Sequence, residues 1–254
     1  MSVAQRRDEA GALDLALAAE LQSALLPKAC PDDCPHQVAA ARNRMCGSVG
    51  GDFYDFIRVN EDQMVFLIGD VVGHGVRASL LMAQLMGHLR SRPTSLVRPV
   101  EIVSDLNRTL IEAGERIGTV LPVSLFYAVI DAPTGISFFV NAGHPRPLLC
   151  DRDKCQSMQM GPRNLLLGVE ECDFVEGCHT FTPGQRLILY TDGVLDAADH
   201  RSRHFGEARL REIVGRHAEQ SPQACADAVF DAIAAFRNGA PQFDDETIAI
   251  IDRV

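Results

Sequence analysis

Four acidic sites in this chain stand at the ends of short stretches that read as buried strands, and this constrains the fold more than any other feature. Val65-Phe66-Leu67-Ile68 runs into Gly69-Asp70-Val71-Val72-Gly73-His74-Gly75, and Leu187-Ile188-Leu189-Tyr190-Thr191 runs into Asp192-Gly193. Asp244-Asp245-Glu246-Thr247 leads into Ile248-Ala249-Ile250-Ile251, and Gly50-Gly51-Asp52-Phe53-Tyr54-Asp55 opens a stretch that ends at Val59. Short uncharged runs bounded by turn residues are the pattern of strands buried on both faces. Their acidic ends would then meet at one edge of a sheet. Crowded carboxylates repel one another and are costly to desolvate unless cations neutralise them. Oxygen-only donors select Mg²⁺ or Mn²⁺ over zinc. The glycines around Asp70 allow close backbone approach, and the Val71 carbonyl can add a hard oxygen ligand.

Asp131 is the internal control. It too ends an apolar run, but Asp131-Ala132-Pro133-Thr134-Gly135 is ordinary hairpin-turn chemistry, so it is left out of the metal site.

The rest of the chain fits a layered α+β fold. Residues 8–26 predict a helix, with Leu13, Leu17, Leu21 and Leu25 at every fourth position and Pro27 as its stop. Residues 28–36, with Pro31, Pro35 and two cysteines, predict a connector. Strands are expected over 38–44, 52–59, 63–68, 123–131, 136–141, 147–150, 174–181, 186–191 and 246–252. Helices are expected over 75–90 and 99–113, joined through Pro93, and over 206–217 and 221–236. Hairpin-linked strands with paired helices imply antiparallel sheets with helices packed outside. Residues 1–27 form a helical N-terminal extension and 28–254 one domain.

The net charge of −10 argues against a nucleic-acid or anionic-membrane surface, although part of it is the acidic cluster itself. No apolar stretch approaches the roughly 20 residues of a membrane-spanning helix. The N-terminus lacks the apolar segment of a signal peptide, so a cytoplasmic location is expected. Two cysteine sets are candidate zinc ligands: Cys30, Cys34, His36 and Cys46, and Cys150, Cys155, Cys172 and Cys178. Neither has paired Cys-x-x-Cys knuckles, and reduced thiols are the expectation.

Gly-Gly-Asp-Phe-Tyr-Asp (50–55), Gly-Asp-Val-Val-Gly-His-Gly (69–75), Asn-Ala-Gly-His-Pro-Arg-Pro-Leu-Leu (141–149), Tyr-Thr-Asp-Gly-Val-Leu-Asp-Ala (190–197) and Asp-Asp-Glu-Thr (244–247) occur in this order. Together they resemble the metal-dependent protein phosphatases of the protein phosphatase 2C (PP2C) class, in the bacterial branch typified by SpoIIE and RsbU. The resemblance covers residues 28–254. It implies a four-layer α-β-β-α sandwich with two Mn²⁺ or Mg²⁺ ions at one end. Asp70 would bridge both ions and orient the nucleophilic water, and the Val71 carbonyl would bind one. Asp52 would serve the second ion, directly or through water. Asp192 and Asp244 would hold the first, with Asp245 as the alternative to Asp244.

The animal and plant members carry a His two residues after the bridging Asp, where this chain has Val72. His74 is either a general acid or part of the turn, and His144 either lines the site or braces a loop. Arg42 and Arg44 are the nearest candidates for the phosphate-gripping Arg of the larger family. The resemblance further implies phosphoserine or phosphothreonine hydrolysis on a phosphorylated anti-anti-sigma (STAS-domain) protein, in bacterial signalling or stress response. An upstream sensor or response-regulator module would act through the N-terminal helix; a homodimer contact and docking on its own domain are the alternatives for that helix. Alternatives are a catalytically weak binding module of the same fold and a metallophosphatase acting on small molecules. Gly-Gly-Asp-Phe also resembles the Gly-Gly-Asp/Glu-Glu-Phe hairpin of cyclic-dinucleotide synthases, but the second acidic residue of that hairpin is missing and four motifs would go unexplained.

Overall fold

Two five-stranded antiparallel sheets lie face to face. One has the order β2 (Phe53–Arg58), β3 (Gln63–Val71), β4 (Val123–Asp131), β5 (Ile136–Ala142) and β8 (Gly177–Thr180). The other runs β1 (Gln37–Arg44), β10 (Glu246–Arg253), β9 (Arg186–Tyr190), β6 (Leu148–Cys150) and β7 (Cys155–Ser157). The computed structural model describes residues 3–27, 30, 36–91, 98–151, 154–158 and 164–254. Pro31, Cys34 and Pro35 of the expected connector, and Pro93 of the expected link, lie outside the described residues.

The apolar runs are buried on both faces, as strands in the middle of a layered sandwich must be. In β9 and β10, Leu187, Leu189, Ala249 and Ile251 join the core between the sheets. Their alternating neighbours Ile188, Tyr190, Ile248 and Ile250 face a second core with Val229, Phe230 and Ile233. That outer layer is α5 (Gly206–Arg216) and α6 (Pro222–Arg237). On the opposite side α2 (Val76–Ser91) packs on β2 and β3, and α3 (Pro99–Ile117) on β4 and β5. The result is the expected four-layer α-β-β-α sandwich. Local signals set the helix ends. Pro99 opens α3 and Gly118 closes it in the left-handed region, while Ser221 caps α6 through the Ala224 N–H.

The N-terminal helix α1 spans Val3–Leu25, starting earlier than expected. Leu13, Leu17 and Leu21 are exposed, and Gln22 and Leu26 are the residues that turn inward. Among the described residues no helix is long and apolar enough to cross a membrane.

Some expectations are corrected. The strand over 174–181 shortens to β8, because β5 offers partners only from Ile136 to Phe139. Two elements were not anticipated: the three-residue β7 and the short helix α4 (Asp192–Asp196). The expectation of reduced thiols fails at one pair. Cys150 and Cys155 are directly opposite in the β6–β7 hairpin and form a disulfide, so neither is available to the zinc set it was weighed in. Among the described residues, Cys30, Cys46, Cys172, Cys178 and Cys225 form no disulfide.

Candidate metal centre

β3 continues past Ile68 to Val71, so Asp70 sits within a strand rather than in the turn after it. It pairs with Ser124 of β4. Alternation places Ser124, Phe126, Ala128 and Ile130 on one face, and the last three line a gap closed by Leu149 and Leu187 of the other sheet. Asp70 therefore points between the sheets. The turn that follows uses left-handed backbone at Gly73 (φ 103°) and Gly75 (φ 77°), conformations that favour glycine, before α2 begins.

Asp52 enters β2 beside Asp70 and is 1% exposed. Its Oδ2 accepts from Thr191 Oγ1 (2.8 Å) and Thr247 Oγ1 (2.5 Å), both on the opposite sheet. Thr247 is held in turn by Asn43 Nδ2 (2.6 Å), and its N–H donates to Thr191 Oγ1 (3.0 Å). Burial, followed by the neighbouring Asp70, drives the Asp52 carboxyl well above the carboxylate range, against the two threonine bonds. Asp70 is pushed up to about 8, first by burial and then by Asp192, Asp244 and Asp245, with a hydrogen bond from Asp52 working against it. Asp192 and Asp244 stand at the solvent edge, and partial desolvation raises both. Exposed His74 works the other way on Asp244.

The adjacent acids at the start of β10 differ. Asp245 is 2% exposed, and both its oxygens are engaged: Oδ1 by the Cys46 N–H and Oδ2 by the Gly51 N–H, each at 2.7 Å. Gly50 is needed there, since a Cβ on it would lie 2.0 Å from Asp245 Oδ2. Asp244 accepts only the Asp245 N–H, through Oδ1 at 2.9 Å, and is otherwise open. Glu246, the third acid of the motif, is buried in an ion pair with Arg237.

The structure thus brings Asp52, Asp70, Asp192, Asp244 and Asp245 to one end of the sandwich, with His74 at the rim. Arg42 and Arg44 are not free cations. Arg42 pairs with Asp227 (2.7 Å), Arg44 lies 3.7 Å from Glu246, and both stack on Phe230. Asp131 lies at the far end of β4, where it opens a turn by accepting from the Thr134 N–H and hydroxyl.

Sequence reading missed the residues that bridge the two sheets, Thr191 and Thr247. Their signal was a Thr beside each acid at the strand ends, Thr191-Asp192 and Glu246-Thr247. It also missed Gln22, whose side-chain amide pairs with the Gly50 peptide through Nε2 to O (2.7 Å) and N to Oε1 (3.0 Å). No sequence signal marks a contact 28 residues away.

The donor set fits hard divalent ions: carboxylates that raise one another and a strand-end carbonyl at Val71. Among the described residues no three His, Cys, Asp or Glu side chains close into a ready-made cage. Mg²⁺ does not need one, because it keeps several waters and takes one or two carboxylates.

Two antiparallel sheets between helix pairs, with this acidic end, define a PP2C-type phosphatase fold. The SiaA-PP2C domain of Pseudomonas aeruginosa superposes with a TM-score of 0.80 at 22% identity, over 100% of each chain. RsbX in complex with magnesium gives 0.64 at 13% identity, over 87% of this chain and 96% of that one.

More specifically, the chain belongs to the Stage II sporulation protein E (SpoIIE) family, whose profile matches residues 60–254. Among individual relatives, Protein IcfG of Synechocystis sp. is 28% identical over 97% of this chain, and the phosphoserine phosphatase RsbP of Bacillus subtilis 24% over 80%. The matches span 42% and 49% of those two proteins, less than half of each.

Proposed function

We propose that the protein hydrolyses phosphoserine or phosphothreonine monoesters with two divalent ions, Mn²⁺ or Mg²⁺. The observation that carries this reading is the set of acids gathered around Asp70, whose carboxyl is pushed up to about 8 by burial and then by Asp192, Asp244 and Asp245, a crowding that bound cations would relieve. Two bound divalent ions supply a nucleophilic water at neutral pH and offset the charge of a transferring phosphoryl group. Asp70 would hold both ions and the Val71 carbonyl one of them, while Asp192 and Asp244 would serve the first ion and Asp52 the second, directly or through water. Of the adjacent pair, Asp244 is assigned as the ligand, because Asp245 already gives both oxygens to backbone N–H groups. His74 lies near enough to Asp244 to act on a departing alkoxide or to steady the turn.

The proposed substrate is a phosphorylated anti-anti-sigma protein of the STAS type, a reading supported by the likeness to the phosphoserine phosphatase RsbP. Phosphate release from an aryl phosphate, a phosphorylated STAS protein and small phosphate esters, with and without chelator, tests both parts. Chelator-sensitive activity restored by Mn²⁺ is expected, with preference for the protein substrate. Activity that survives exhaustive chelation rejects the mechanism, and equal or better use of small esters rejects the protein substrate.

Helix α1 is assigned a regulatory role. Its end is fastened to the site-bearing segment by Gln22 on Gly50, and by Arg90, which bonds the Leu25 carbonyl (2.7 Å) and Asp55 (2.6 Å). Its exposed leucines leave a face for a second copy or for a sensor module. A chain starting at Lys28 is expected to differ from the full chain in phosphatase rate or in mass by light scattering. Identical rate and mass would reject the regulatory role.

A further inference from the structure

His144 is sealed in the interior, 6% exposed, and the chemistry above gives it no task. It sits in the crossover that leaves β5 in one sheet and enters β6 in the other. Asn141 fixes this loop by exchanging bonds with the His144 backbone, Nδ2 to O (3.0 Å) and N to Oδ1 (2.8 Å). The imidazole Nδ1 lies 2.7 Å from Ser124 Oγ, and Ser124 is the strand partner of Asp70. The ring also neighbours the Tyr190 backbone, and its Nε2 is buried and finds no hydrogen-bond partner among the described residues. β6 stops at Leu148, opposite Ile188, so on that side the Tyr190 peptide has no strand partner. The same loop holds the other end of this residue, since Tyr190 OH donates to the Arg146 carbonyl at 2.8 Å. Tyr190 precedes Thr191, which binds Asp52, and Asp192.

One ring therefore stands between the strand pair that carries Asp70 and the strand that delivers Thr191 and Asp192. We propose that His144 is a positioning residue for the metal centre: a neutral imidazole strut, accepting from Ser124 Oγ at Nδ1 and directing Nε2–H to the Tyr190 carbonyl, that sets the spacing between the acids of the two sheets. The proposal rests on the metallophosphatase reading. Burial holds the imidazole neutral, with its pKa down at about 3, so the strut keeps one charge state throughout the working pH range.

The test uses the full chain with His144→Phe, His144→Gln and Ser124→Ala. Readouts are Mn²⁺ affinity of the metal-free protein by calorimetry, aryl phosphatase kcat and KM, and the ¹⁵N signature of the His144 ring. His144→Phe, which fills the space without bonding, is expected to weaken Mn²⁺ binding about 10- to 100-fold, the range seen when partners that orient metal ligands are removed. kcat should fall at fixed Mn²⁺ with little change in KM. Ser124→Ala should give part of the same loss, and the two together no more than His144→Phe alone. His144→Gln, with an acceptor and a donor on one side chain, should recover part of it. The wild-type ring should remain the neutral Nε2–H tautomer from pH 5 to 8. Should His144→Phe fail to fold, Ser124→Ala carries the test. Variants that bind Mn²⁺ within twofold of an active wild type overturn the proposal alone, as does an Nδ1–H or titrating ring. A wild type that binds no Mn²⁺ overturns the metallophosphatase reading and this proposal with it.

Discussion

Asp70 and Asp131 end apolar runs of the same kind on neighbouring strands, yet the fold gives them opposite chemistry. β3 and β4 are antiparallel, so Asp70 pairs with Ser124 while Asp131 pairs with Gln63 at the other end of the sheet. Around Asp70 are burial and three further carboxylates, and its proton is held up to about 8. Around Asp131 are the Thr134 hydroxyl and N–H, and its proton is released below the usual carboxylate range. A strand-end aspartate is thus a turn device or a member of a crowded acidic cluster according to what the second sheet places opposite it. On this sheet end the second sheet supplies Thr191, Asp192, Asp244 and Asp245.

The largest expected effect comes from removing the charge at the crowded end. Asp70→Asn should lower phosphatase turnover by at least about 100-fold, which is about 2.7 kcal/mol of transition-state stabilisation. With chelator present the variant should melt no lower than wild type near pH 8, and higher if repulsion dominates, since it removes one of the charges that repel. Turnover assays beside calorimetric melting check both halves. An Asp70→Asn protein as active as wild type would erase the contrast between the two aspartates.

The adjacent pair at the start of β10 sharpens the contrast within one site. Asp244→Asn should reduce Mn²⁺ affinity while leaving the melting temperature of the metal-free protein close to wild type. Asp245→Asn should do the reverse. It loses a charged acceptor for the buried Gly51 N–H and the half-buried Cys46 N–H and should destabilise the fold by about 1.5–3 kcal/mol. Denaturant melts and Mn²⁺ titrations of both variants decide the assignment, and reversed results would exchange ligand and brace.

Most of this was legible before any coordinates. The strands were visible because β3, β9 and β10 lie between two layers and so carry unbroken uncharged runs, 64–68, 187–191 and 247–251. The acids were visible because they stand at the ends of those runs. What stayed hidden lies across space. Thr191 and Thr247 look like ordinary strand residues until Asp52 arrives from the other sheet. Asp244 and Asp245 are equivalent as letters, and only the approach of the 46–51 loop engages one of them. The leucines of α1 left docking on its own domain and contact with a second copy or a sensor open; Leu13, Leu17 and Leu21 are exposed, and the helix end is held through Gln22 and the Leu25 carbonyl. Cys150 and Cys155 needed the unforeseen β7 to come opposite each other.

The smallest expected effect is at Asp131, and its value lies in sign rather than size. Asp131→Asn should leave turnover unchanged and move the melting temperature by about 1–2 °C at most, as for an ordinary surface substitution. The pH dependence of the metal-free protein then separates the two aspartates. A carboxyl with a raised folded pKa favours the fold below its unfolded value and loses that advantage as pH rises through the folded one. For Asp70 the loss runs from about 3.8 to about 8, so chelated wild type should melt lower at pH 8 than at pH 5, and excess Mn²⁺ should reverse the trend. Asp131, lowered by Thr134, works in the other direction: its contribution is present above the ordinary carboxylate pKa and fades only in acid. Asp70→Asn should therefore flatten the melting curve between pH 5 and 8, whereas Asp131→Asn should leave that slope intact and alter only the acid limb. Equal flattening by both would mean that the slope reflects the overall acidity of the chain rather than the crowding of carboxylates at one end of the sandwich.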